Sequence, residues 1–311
     1  MTTSPVRSAP VRRPNTLALD IGGTKIAAAV VDEDGALVHR VQLPTPKQSA
    51  EAAWQVTADL IGQALAAAPA NAVGIASAGP VALYIGAISP VNIAVWQDFP
   101  IVDRVAELTG LPVRLGGDGV CMALGEHRHG AGRGAQFLLG MVVSTGIGGG
   151  LVLDGAPYDG RTGNAGHVGH MVADPAGELC VCGGTGCVET VASGPRMTRW
   201  AQQQGWVGTD AKELAAAAAA GDAIALAAFR RGTTALAAVI ASTAAVCDLD
   251  LVVIGGGVAK AGEVLFAPLR AALGRHTGLS FIRGLRVVPA ELGSDAGLVG
   301  AAALAREAEA G

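Results

Sequence analysis

One pattern recurs in this chain and limits the folds open to it: an apolar strand, a glycine turn, and a second apolar strand. The first copy runs from Leu17 to Ile21, turns within Asp20-Ile21-Gly22-Gly23-Thr24-Lys25, and continues from Ile26 to Val31. Asp32-Glu33-Asp34-Gly35 is a hairpin-turn signal, so Ala36 to Val41 reads as a third, antiparallel strand. The second copy begins at Phe137 to Val143, turns through Ser144-Thr145-Gly146-Ile147-Gly148-Gly149-Gly150, and returns at Leu151 to Leu153. The turns lie roughly 125 residues apart, which predicts a duplicated α/β unit with a cleft between its halves. Helices are expected over Glu51 to Ala66, Gly119 to Arg128, an Ala-rich region from Lys212 to Val246, and Gly297 to Ala308. Further strands are expected at Ala72 to Ala76, Val113 to Leu115 and Leu251 to Ile254.

Composition fits such a unit. Half of the 311 residues are hydrophobic and 15% are charged, with a net charge of −4. That leaves a sizeable core and no basic stripe, so nucleic acid is not an expected partner. Residues 1–15 carry Arg7, Arg12, Arg13 and three prolines without an apolar stretch, which reads as a disordered tail and not a signal peptide. The most apolar helix segment, Thr233 to Val246, is short and Ala-rich, so it is expected as a buried helix and no membrane association follows.

A second constraint is a ligand cluster. His170, Cys180, Cys182 and Cys187 fall within eighteen residues and use three of the five cysteines. A Cys₃His set closes the tetrahedral shell of Zn²⁺ with no open position, which fits a structural metal. Gly183, Gly184 and Gly186 between the thiols let the chain wrap a small ion. Three clustered thiols would leave one unpaired in a disulfide scheme, and free thiols suit a reducing, cytoplasmic setting. Glu189 follows the last thiol, so the staple reads as the support of a substrate loop.

The glycine turns point to phosphate. Gly22 and Gly23, Gly146 and Gly148, and Gly256 and Gly257 of the Gly255-Gly256-Gly257 turn each let backbone N–H groups approach oxygen closely. Thr24 and Thr145 offer hydroxyl donors, Lys25 a positive charge, and Asp20 a carboxylate able to hold Mg²⁺ through water. Neither a Walker A motif nor a dinucleotide fingerprint is present. Asp118, in Gly116-Gly117-Asp118-Gly119, stands after a strand and at a helix start. There it could serve as a general base or as a helix cap.

These stretches, with Gly169-His170, the Cys180-x-Cys182-Gly183-x-x-Gly186-Cys187-x-Glu189 signature and Asp295-Ala296-Gly297-Leu298-Val299-Gly300-Ala301, closely resemble the ROK family of repressors, open reading frames and sugar kinases. The resemblance runs from about residue 16 to 308. It implies two ribonuclease-H-like domains of the actin/hexokinase-like ATPase fold: residues 16–130 plus 297–311, and residues 131–296 with the zinc loop. Hinges are expected near Ala131 to Gln136 and before Gly297. It also implies ATP, Mg²⁺, structural Zn²⁺, a sugar-like acceptor and a homodimer or homotetramer. The first strand leaves no room for the DNA-binding domain of ROK repressors, which favours the kinase branch. Asp118 matches the family's catalytic Asp, His170 and Glu189 match positions that contact sugar hydroxyls, and Asn92 and Gly79 border the sugar pocket.

Two departures from the family pattern bear on specificity. Gly117 replaces an Asn, and His167 replaces a Glu three residues before the zinc His. Both missing groups would hold sugar hydroxyls, and a site missing such partners discriminates differently. The expected acceptor is therefore unusual, such as a C7-cyclitol or a modified amino hexose, with an imidazole donor meeting a substrate carbonyl. A glucokinase for ordinary hexose or a catalytically weak sugar sensor is the alternative. His127 and His129 are expected in solvent, and Cys121 and Cys247 as small core residues.

Overall fold

The computed structural model describes residues 14–307. The tail expected at the N-terminus lies outside the described residues except for Pro14 and Asn15, as do residues 308–311.

The first half comprises β1 (Thr16–Ile21), β2 (Lys25–Val31), β3 (Leu37–Pro44), α1 (Ala50–Ala67), β4 (Ala72–Ser77), β5 (Val81–Ala82), β6 (Ala87–Ile88), α2 (Ile101–Thr109), β7 (Val113–Gly117) and α3 (Asp118–His129). The second comprises β8 (Phe137–Val143), β9 (Ile147–Leu153), β10 (Ala156–Tyr158), α4 (Glu189–Ala192), α5 (Gly194–Gln203), α6 (Ala211–Ala219), α7 (Ala223–Cys247), β11 (Leu251–Gly255), α8 (Glu263–His276), β12 (Arg286–Pro289) and α9 (Ala296–Glu307). The sheets repeat one topology, β3-β2-β1-β4-β7 and β10-β9-β8-β11-β12. In each, three antiparallel strands form a meander and two parallel strands extend it. The glycine turns join the first two strands of each sheet, as the sequence pattern requires.

Small residues decide how the halves meet. Helix α3 packs on β8 and β9 of the second sheet, while α9 returns to β1 and β4 of the first, and the two helices cross. At the crossing, a Cβ on Gly300 would overlap the Cys121 carbonyl, and one on Gly125 would overlap that of Ala296. Backbones this close need glycine. Cys121 is buried there, whereas Cys247, expected in a core, is partly exposed at the end of α7.

The Ala-rich region is helical as expected and forms two helices, α6 and α7. Gly221 takes a positive φ of 93°, and Asp222 accepts the Ala225 N–H at 2.8 Å to cap α7. Helix α7 has the length and apolar content of a membrane span, but it buries Phe229, Leu236 and Ile240 in the second core.

The segment joining the halves is fixed by Glu126, a fully buried carboxylate the sequence did not flag. One oxygen accepts the N–H groups of Ala131 (2.9 Å) and Glu291 (3.1 Å), the other that of Leu292 (2.8 Å). Both stretches expected as hinges therefore converge on one side chain. His127 is not in solvent. It is buried, and its Nε2 lies 2.9 Å from the Ala135 carbonyl because the 130–135 loop folds back over it. His129 is partly enclosed against the β2–β3 turn at Gly35, and that burial lowers its pKa. The turn itself forms as read: Asp32 Oδ1 accepts the N–H groups of Asp34 and Ala36.

Candidate active site

Asp20 near the carboxyl end of β1 and Asp118 just past β7 stand close enough for their charges to interact, where α3 passes to the second sheet. Asp118 opens α3, and its Oδ1 accepts the Gly119 N–H at 2.7 Å. The carboxylate keeps a solvent-accessible face although protein walls it on most sides. That crowding raises its pKa, while the Gly119 hydrogen bond and a charge on His167 oppose the rise. Asp20, half-buried, is pushed up to about 6 by burial and by the Asp118 charge, against Lys25 and Arg40. Burial raises both carboxylates, and the Asp118 charge adds to the rise at Asp20; such a pair suits proton transfer and cation binding.

The first glycine turn is braced from outside. Gly22 donates to the Lys25 carbonyl at 3.0 Å, and the Thr45 hydroxyl donates to Gly22 O at 2.6 Å. A Cβ on Gly23 would overlap the Asn92 side chain, so Asn92 presses on the first glycine turn. In the second turn, Ser144 N–H donates to Gly146 O at 2.9 Å. Glu189 Oε2 accepts the Ile147 N–H at 2.8 Å, so one oxygen of this expected sugar ligand is committed to the turn. The third turn joins the second: a Cβ on Gly257 would stand 3.3 Å from Ser144 Oγ, and Gly256 has a φ of 92° against Val143. Beside them lies a cavity of about 430 Å³ lined by Thr145, Gly257, Pro195, Thr198, Gln202 and Lys212. Sequence reading missed the α5 and α6 part of this wall, which carries no motif. Thr24 and Thr145 are exposed, and Gly148 has open space beside it.

On the side where the sequence leads one to expect the acceptor, a Cβ on Gly79 would lie 3.2 Å from His167 Nε2, and one on Gly117 would meet only Gly163 O at 3.8 Å. His167 Nδ1 lies 2.9 Å from the Asn164 carbonyl. A carbonyl only accepts, so Nδ1 carries the proton and the neutral ring presents a bare Nε2 lone pair. The neutral tautomer would accept at Nε2, and the doubly protonated ring would donate from it, as the sequence leads one to expect.

The four predicted metal ligands come together, with ligand atoms all within 4.8 Å of one another. Cys180 Sγ is 3.7 Å from His170 Nδ1, and Cys182 Sγ is 3.7 Å from Cys187 Sγ. A tetrahedron with ~2.3 Å Zn–S bonds has S–S edges of about 3.8 Å, so the two 3.7 Å separations match such edges and the donor set fits Zn²⁺. Burial and the adjoining thiols push Cys187 up to about 12, a crowding that a bound dication relieves. Coordination through Nδ1 leaves Nε2 of His170 free. Glu178 of the same loop pairs with Arg196 (3.0 Å) and Arg199 of α5, connecting the metal loop to the cavity wall.

The sequence model of the ROK family matches residues 16–308. The chain belongs to the ROK family. It is 35% identical to the glucokinase of Thermotoga maritima over 94% of this chain and 97% of that one. It is 39% identical to the N-acetylmannosamine kinase of Citrobacter koseri over 94% of this chain and 99% of that one. Among solved ROK structures, a glucokinase from Streptomyces griseus in complex with glucose and AMPPNP superposes with a TM-score of 0.82 at 35% identity, covering 94% of this chain and 99% of that one. A ROK hexokinase from Thermus thermophilus gives 0.85 at 37% identity, covering 96% and 100%. The two sheets are thus the two lobes of the actin/hexokinase-like ATPase fold seen in ROK kinases.

Proposed function

We propose that this chain is an ATP-dependent kinase that transfers phosphate to a hydroxyl of a sugar-like molecule other than glucose. The observation that carries the reading is Asp118: an accessible carboxylate with a raised pKa, held at a helix start on the floor of the cleft. In this reading Asp118 accepts the acceptor hydroxyl proton as the new P–O bond forms. Turns 22–25, 145–148 and 256–257 cradle the phosphates, Lys25 adds charge, and the 430 Å³ cavity takes the nucleoside. Asp20 would hold Mg²⁺ through water; the metal would neutralise phosphate charge. Zn²⁺ on His170, Cys180, Cys182 and Cys187 would fix the loop that carries Glu189. The first sheet with α1, α2 and α9, and the second sheet with α3 and the remaining helices, would act as the two closing lobes, with α3 and its Glu126 moving with the second.

The acceptor side supports a modified sugar. His167 offers a lone pair that accepts from an N–H or O–H, and Gly117 leaves room for a ring substituent. An N-acylamino hexose or a C-branched cyclitol supplies both a donor and a bulky group. The N-acetylmannosamine kinase relative favours the amino-sugar branch. Comparing kcat/KM for glucose, N-acetylmannosamine and a valiolone-type cyclitol tests the reading. Glucose should rank last; a clear preference for glucose refutes the unusual acceptor.

A further inference from the structure

Asn164 connects two things that no motif connects. Its side chain crosses the cleft mouth to the other half: Nδ2 donates to Val81 O at 2.8 Å, and Oδ1 accepts the Val81 N–H at 3.0 Å. The second Nδ2 proton reaches Thr162 Oγ1 at 3.1 Å, so both donors of the amide are used. Val81 begins the small β5–β6 ribbon of the first half and is buried. The main-chain carbonyl of Asn164 is the partner of His167 Nδ1. One residue therefore ties the acceptor loop to the first half and holds the Nδ1–H of the His167 imidazole. The neighbouring loop closes on itself through Ala165 N–H and Asp159 O at 3.1 Å, so displacing Asn164 would carry His167 with it.

We propose that Asn164 is a positioning residue for acceptor selection: its bidentate tie to the Val81 backbone sets the height of His167 over Asp118. Its kinetic consequences rest on the kinase reading above; the tie itself does not. Both polar main-chain groups of Val81 are served by a planar amide that matches them in geometry, the arrangement one strand offers another. Asp at this position keeps the shape but puts an oxygen against the Val81 carbonyl, and Ala removes the tie while keeping the carbonyl used by His167.

The test uses the full chain and the variants Asn164→Ala and Asn164→Asp. Steady-state kinetics with ATP are run against N-acetylmannosamine and glucose, together with Val81 amide hydrogen exchange and small-angle scattering of the ligand-free proteins. The expected result is a rise of about tenfold in KM for the preferred sugar, as two neutral hydrogen bonds imply. KM for ATP should stay within about twofold, since the nucleotide cavity lies beyond the second glycine turn. Val81 exchange should quicken and the radius of gyration should rise in both variants. An unchanged sugar KM, or equal losses for sugar and ATP, overturns the positioning role. If the wild type phosphorylates neither sugar, the kinase reading is what has failed for those acceptors. Exchange and scattering then decide the tie: changes in both support it, and profiles identical to wild type overturn it.

Discussion

Replacing Asp20 with Asn isolates the electrostatic strain of the cleft floor. Burial and the Asp118 charge raise the Asp20 carboxyl from 3.8 to about 6. That shift corresponds to about 3 kcal/mol between its protonation states, and partial exposure screens the stability share to about 1–2 kcal/mol. The sign follows from proton binding: the folded chain holds this proton more tightly than the unfolded chain. The stabilisation is complete below about pH 3.8 and is lost as pH rises through about 6. Without Mg²⁺ or nucleotide, the wild type should therefore lose stability across that window. Asp20→Asn, which cannot ionise, should lose less; Asp118 is also raised and still titrates in the variant. At about pH 8 the variant should be the more stable by about 1–2 kcal/mol, or a few degrees in Tm. Denaturant unfolding from about pH 4 to 8 measures both. Mg²⁺ with ADP should stabilise the wild type by mass action and act little on the variant. Parallel pH profiles for the two proteins, or a less stable variant at about pH 8, would refute the reasoning.

Gly23→Ala places a methyl on the Asn92 side chain, and overpacking there should cost about 1–3 kcal/mol and raise KM for ATP more than for sugar, read by calorimetry and kinetics. Glu126→Gln replaces one acceptor oxygen with a donor facing backbone N–H groups, so global stability should fall by about 2–4 kcal/mol in urea unfolding. Cys182→Ser should lower zinc stoichiometry by elemental analysis and lower Tm, and chelation of the wild type should speed amide exchange in 170–189 and at Ile147, which Glu189 holds.

What could be read from the chain alone was local. The first and third glycine turns announce themselves because close approach leaves few residue choices at Gly23 and Gly256. The metal set was legible because its four ligands lie within one short loop. Contacts between distant segments left no such trace. Glu126 reads as one more charge on a helix until the segments at 131 and 291–292 converge on it. Asn164 reads as a loop residue until Val81, more than eighty positions earlier, is set beside it. His127 was misplaced for the same reason: a polar residue near a helix end is ordinarily wet, and only the returning 130–135 loop covers it. Which nitrogen of His167 is tied to the backbone depends on a carbonyl three residues away, whose direction is a matter of backbone geometry.

Single-turnover transfer by Asp118→Asn tests the central chemistry most directly. Asn keeps the size of the side chain and its hydrogen bond to Gly119 while removing the proton acceptor. With ATP, Mg²⁺ and the best sugar in hand, the variant should bind ATP with wild-type affinity yet form sugar phosphate at least about 10²-fold more slowly. Transfer at the wild-type rate would show that the proton leaves by another route and that the cleft-floor carboxylate is not the base.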